Sequence, residues 1–210
     1  MDVQTLQNTE VSEDGPIARP EHSSRLVDLF GMTGRHIALL AASIAMCGSL
    51  FFSEALGWPP CVLCWYQRIL MYPLTLILAI GIWRRDRRLH LYVLPFSIIG
   101  AFVSLYHYLL IKTDWFPPPP CAAGIPCTVD YLDWFGFINI PFMALTAFLI
   151  ITGMMIAWDL MQPLDEAEHG AISEDDVLPV ATPIFDGSRL AVIMISVGVA
   201  LTFVVASTFV

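Results

Sequence analysis

Two cysteine pairs dominate the chemistry open to this chain. Cys61-Val62-Leu63-Cys64 is a C-x-x-C preceded by Gly57-Trp58-Pro59-Pro60. Two sulfurs at that spacing close into a small ring. If a helix begins near Cys64, that sulfur sits in its first turn, where unpaired N–H groups and the helix dipole favour a thiolate. Such a thiolate is a good leaving group and an electron donor. The second pair, Cys121 and Cys127, encloses a segment with Gly124 and Pro126. A turn there brings the Cα atoms within the ~7 Å that a disulfide requires. Arg68 lies four residues after Cys64, one helical turn along the same face.

Each feature has a plainer reading. The C-x-x-C is also half of a zinc site, against which stand the different spacing of the second pair and the lack of histidine in either loop. Cys121 and Cys127 also fit a static structural disulfide. Arg68 either snorkels to a nearby interface or acts as a fixed cation that stabilises a Cys64 thiolate and negative charge on an acceptor oxygen. His107, within Tyr106-His107-Tyr108, is weak evidence alone. Glu54 and Gln67 either shape a polar pocket or reach water, and Cys47 reads as an apolar packing residue.

The elements that must position these residues are membrane spans. The chain is 57% hydrophobic and 14% charged over 210 residues, which excludes an ordinary soluble domain. Five stretches, 37–56, 65–83, 91–111, 139–158 and 190–210, lack interior charge and are long enough to cross about 30 Å of hydrocarbon. They are apolar on every face, so buried soluble helices fit less well. The net charge of −9 sits mostly in the N-terminal tail and in the stretch 165–186, and does not by itself indicate a basic partner. The first 35 residues lack the apolar core of a signal peptide, so residues 1–36 are expected to be a retained, disordered tail.

Basic residues set the orientation. Trp83-Arg84-Arg85-Asp86-Arg87-Arg88 joins spans two and three, and Arg19, Arg25 and Arg35 precede or open span one. Both regions should be cytoplasmic, which turns the two cysteine loops outward, the acidic linker 159–189 inward and the C-terminus outward. Two cysteine pairs then share one oxidising face near headgroup level, placed for exchange with each other. The second loop also holds Trp115-Phe116-Pro117-Pro118-Pro119-Pro120, then Tyr131, Trp134 and Phe135. Prolines and aromatics suit a segment lying on the bilayer surface.

The run Cys61-Val62-Leu63-Cys64-Trp65-Tyr66-Gln67-Arg68-Ile69-Leu70-Met71-Tyr72-Pro73, the pair Cys121 to Cys127, and Trp134-Phe135-Gly136-Phe137-Ile138-Asn139-Ile140-Pro141 together resemble the DsbB family of disulfide formation proteins, and within it the Gram-positive BdbC branch. The resemblance covers residues 37–158. It implies an all-α membrane protein, a four-helix transmembrane bundle to which this chain adds a fifth C-terminal transmembrane helix. It also implies a relay in the plasma membrane. A thioredoxin-like (DsbA/BdbD-like) oxidase outside the membrane is reoxidised by Cys121–Cys127, with Cys121 forming the mixed disulfide. Cys127 exchanges with Cys61, and Cys64 passes electrons beside Arg68 to a quinone, menaquinone or ubiquinone. His107 falls roughly where the family has a quinone-proximal histidine. The implied partners are that oxidase, the quinone and the lipid bilayer, with no nucleic acid and no metal. A vitamin K epoxide reductase-like relay shares the chemistry but fits the C-x-L-C-x-x-x-R context less well. A thiolate metal-binding membrane protein and a subunit with purely structural disulfides are the alternatives outside redox catalysis. The linker and fifth span, 159–210, have no counterpart in the pattern.

Overall fold

A computed structural model describes residues 21–115, 126–169 and 187–209. Their backbone forms five long helices: α1 (Glu21–Leu50), α2 (Val62–Trp83), α3 (Leu89–Lys112), α4 (Ile140–His169) and α5 (Gly187–Ser207). A π-helical turn, Phe51–Ala55, continues α1. All five contain segments long and apolar enough to cross a membrane. Only helices and closed barrels satisfy their backbone polar groups in hydrocarbon, so an apolar chain of this kind becomes a bundle.

The helices outrun the apolar stretches that define them. Residues 21–36 belong to α1, where a disordered tail is expected, and α4 continues to His169, past the expected limit at 158. Once a helix is nucleated, each further residue adds a hydrogen bond at little cost, so polar flanks propagate it. Span two starts at Val62 rather than 65 and span five at Gly187 rather than 190.

Helices α1, α2, α3 and α4 pack in a ring in chain order, closed by α4 against α1, while α5 lies outside against α1 and part of α2. Leu39, Leu74, Leu78, Val93, Phe148, Ile151 and Met155 fill the centre. Apolar side chains such as Leu76 and Phe102 point outward, as lipid-facing positions should. Because lipid tails compete equally for apolar surface, close approach and interhelical hydrogen bonds must hold the ring. The α3–α4 contact shows both. Gly100 lets the ring of Phe148 sit against the α3 backbone, and Thr152 Oγ1 donates to Ser97 Oγ at 2.9 Å. Between α2 and α3 the arginine-rich turn is tight. Asp86 N–H bonds Gly81 O at 2.9 Å and Arg85 N–H bonds Ile82 O at 3.1 Å, with Arg85 left-handed at φ 54°. This paired closure satisfies the last carbonyls of α2.

Gly100 and Gly153 provide a test of the close approach. A Cβ at Gly100 overlaps the buried Phe148 ring, whereas one at Gly153 meets nothing within 4 Å. Gly100→Ala should destabilise the bundle by about 1–3 kcal/mol, and Gly153→Ala should be neutral or stabilising. Thermal unfolding in detergent measures the difference, and equal transitions would contradict the packing.

Candidate active site

Pro59-Pro60 deliver the chain to Cys61, whose extended backbone makes it the N-cap of α2. Its Sγ accepts the backbone N–H of Cys64 at 3.3 Å. In a C-x-x-C placed this way the cysteines occupy the cap and third helical positions, the spacing a serine cap uses to reach an amide. That local geometry puts the two unbonded sulfurs 3.0 Å apart. Cys61 is only 6% exposed. Its thiol is pushed up to about 12, first by the hydrogen bond to the Cys64 sulfur and then by burial, with the His107 ring opposing part of the shift.

Three further side chains close around this pair, one from α2 itself and two from other parts of the chain. His107, buried on α3, places Nε2 3.7 Å from Cys61 Sγ and 3.1 Å from the carbonyl oxygen of Cys127. Its Nδ1 lies 3.3 Å from Nε2 of Gln67, also buried. A carbonyl only accepts and an amide NH2 only donates, so the contacts as assigned select the neutral tautomer with its proton on Nε2. Cys127 is 3% exposed and packs with Cys61 and Leu110 in one small cluster flanked by Leu63 and Cys64. The structure thus brings one member of the second pair onto the first. Cys121 lies outside the described residues.

Arg68 sits one turn below Cys64. It donates from Nη2 to Ser49 O at 3.0 Å and from Nη1 to Ser53 Oγ at 3.3 Å, and its guanidinium lies 5.5 Å from the Trp65 ring centre. Among the described residues no carboxylate lies within ion-pair distance of it. Cys64, Gln67 and Arg68 share the wall of a groove of about 770 Å³ formed mainly by α1, α2 and α4, otherwise almost entirely apolar. A cation with no carboxylate partner among the described residues, set in the wall of an apolar groove, suits a flat, lipid-soluble molecule whose oxygens gain negative charge.

The rim is built from aromatics that span both loops. Trp58 stacks on Phe52 and on Tyr131, each at 5.5 Å, and Tyr131 Oη donates to Pro59 O at 3.2 Å. Lys112 pairs with Asp133 at 3.0 Å and Asp130 at 3.3 Å. Asn139 caps α4 through its Oδ1 and the Phe142 N–H at 3.1 Å, which explains locally the Asn139-Ile140-Pro141 run.

Of the residues singled out by sequence, Cys61, Cys64, Gln67, His107 and Cys127 meet in one cluster, and Arg68 borders it. Glu54 is exposed and absent from the groove wall, and its Oε1 accepts from Ser53 Oγ at 3.4 Å. Cys47 is half-buried on α1, outside the groove. Ser49 and Ser53 are missed by the sequence reading, although two serines four apart in an apolar span are a visible polar stripe. Neither outer loop holds a histidine, yet folding brings one to the thiols from a helix. His107 arrives from α3, and its ligand atom and the two sulfurs lie within 4.8 Å of one another, close enough for a soft metal ion.

The family model "Disulfide bond formation protein DsbB" matches residues 33–158. The chain belongs to the DsbB family. "Disulfide bond formation protein C" of Bacillus subtilis is 57% identical over 113 residues, covering 53% of this chain and 82% of that protein. "Probable disulfide formation protein C" of Halalkalibacterium halodurans is 56% identical over 113 residues, with the same coverage. "Probable disulfide formation protein C 1" of Bacillus anthracis is 51% identical over 112 residues, 53% of this chain and 81% of that one. No solved structure matches. Membership in the DsbB family gives the chain the role of a membrane thiol–disulfide oxidoreductase. The family region includes the four-helix ring through 158 and ends before α5.

The raised thiol of Cys61 gives a pH-dependent test. A folded value above the unfolded reference of 9.0 means that the native reduced protein holds this proton more tightly. That contribution to stability is present below about pH 9 and disappears as pH rises toward 12. Thiolate ultraviolet absorbance of the reduced protein should show Cys61 ionising late. Cys64→Ala, which removes the largest cause, should move that ionisation to lower pH, and an unchanged late step would contradict the assignment.

Proposed function

We propose that this chain reoxidises an extracytoplasmic thioredoxin-like oxidase and delivers the electrons to a membrane quinone. The observation that carries the reading is the meeting of Cys127, Cys61 and Cys64 beside an apolar groove whose wall includes Cys64 and Arg68. One end of the cluster faces the second loop, where an incoming thiol arrives. The other end faces the groove.

In the proposed sequence, the partner's thiolate attacks Cys121 of an oxidised Cys121–Cys127 pair, and Cys127 leaves as a thiolate. Cys127 attacks Cys61 of an oxidised Cys61–Cys64 pair, and Cys64 leaves as a thiolate beside Arg68. The partner's second thiol releases the partner as its disulfide, and Cys121 displaces Cys61 from Cys127. His107 donates to the Cys127 carbonyl and holds this turn against Cys61. A quinone in the groove accepts two electrons and two protons as the Cys61–Cys64 disulfide reforms. Menaquinone and ubiquinone share that chemistry. Gln67 and Arg68 are positioned to bind its oxygens, and the α1 and α4 walls to exclude water. The arginine-rich α2–α3 turn supports an inward position for that end and an outward position for the cysteine loops.

Two experiments test the reading. With a reduced thioredoxin-like partner and a quinone analogue, Arg68→Ala should slow quinone reduction by roughly a hundredfold while partner exchange continues. Arg68→Lys should recover part of the rate, because a point charge does not copy the guanidinium fork. Unaltered quinone kinetics in Arg68→Ala would remove its role. Separately, Cys127→Ser in cells should trap Cys121 in a DTT-sensitive adduct with an exported thioredoxin-like protein, and Cys121→Ser should not. The reverse pattern exchanges the two roles. No adduct with any exported protein argues against the outward orientation and for a structural clip.

A further inference from the structure

Helix α5 stands outside the region shared with the DsbB family, yet it is not a loose appendage. It runs parallel to α1 in a constant register. Near one end the His36 Nε2 lies 3.2 Å from Ser188 Oγ, and near the other the Phe51 and Phe203 rings meet edge to face at 6.0 Å. Both pairs are separated by the same 152 residues. Most of α5 faces outward, but Phe203 turns inward and joins the groove wall. Its ring also covers Gly48, where an added Cβ would be 3.7 Å away.

Gly48 and Phe51 flank Ser49, whose carbonyl holds Arg68, and Ser53 lies inside the π-helical turn that Phe51 opens. A π-helical turn is an uncommon widening of the backbone, often associated with functional sites, and depends on surrounding contacts. Phe203 supplies such a contact from outside the ring of four helices.

We propose that Phe203 is a positioning residue: it braces the Gly48–Ser53 segment so that Ser49 and Ser53 hold the Arg68 guanidinium in the acceptor groove. The fifth helix thereby acts on the last electron-transfer step and leaves exchange among the cysteines alone. The inference rests on the proposed role of Arg68 at the quinone.

The test is a double-mutant cycle in the full-length protein, reading quinone reduction and partner exchange separately. Phe203→Ala should slow quinone reduction about fivefold, the scale of a lost aromatic pair, without changing partner exchange. Phe203→Leu, which retains apolar bulk, should recover part of the loss and serves if the alanine variant folds poorly. In the Arg68→Ala background, Phe203→Ala should cost nothing more. Equal losses in both backgrounds would show that Phe203 acts on the acceptor or on stability and not through Arg68. If Arg68→Ala is impaired but Phe203→Ala and Phe203→Leu are silent, this inference fails and the quinone reading stands. Unaltered quinone reduction in Arg68→Ala overturns both.

Discussion

The contact on which the site depends is the one between the Cys61 sulfur and the backbone N–H of Cys64. It fixes where α2 starts, and therefore where every later residue of that helix points. With Cys61 as cap, Cys64 occupies the first turn and Gln67 and Arg68 the next. One helix terminus thus orders the thiol pair, the amide that holds His107 and the cation that borders the groove. A soluble protein could hydrate a misplaced helix end. At a membrane surface the first unpaired amides need partners, and a cysteine cap supplies one while keeping its sulfur beside a second thiol.

The site is divided by polarity. The sulfur cluster is buried under a loop held by Lys112, Asp130, Asp133 and the Phe52–Trp58–Tyr131 stack. These exposed or half-exposed contacts belong to the part of a fold that opens most readily, so they suit a cover that can open over the proposed thiol relay. Behind the sulfurs, the groove is apolar and contains a cation without a carboxylate partner among the described residues. Placing an arginine there costs a few kcal/mol. The Ser49 carbonyl, the Ser53 hydroxyl and the Trp65 ring offset part of that cost without neutralising the charge.

The same economy of polar partners explains the frame. Gly100 under Phe148 and the Ser97–Thr152 hydrogen bond hold α3 to α4 where apolar burial alone gives no advantage over lipid. Helix α5 uses the same means, a His36–Ser188 contact at one end and an aromatic edge at the other. Its outer face remains apolar, so it is anchored by a narrow stripe and free to serve as a brace.

The sequence by itself determined the five spans, the two cysteine pairs, the turn between Cys64 and Arg68, and the similarity that implies the family. Those are local properties: hydropathy over a span and spacing within a turn act between near neighbours, whatever the rest of the chain does. Only the tertiary structure decided that His107 reaches Cys61 across 46 residues, that Cys127 packs on the same sulfur, and that Ser49 and Ser53 hold Arg68. It also decided the helical extensions of α1 and α4 and the register of α5 along α1. Every face of these spans is apolar, so hydropathy carries no signal for which face meets which neighbour. That choice is made by side-chain fit and a few interhelical hydrogen bonds, which exist only once the helices are assembled.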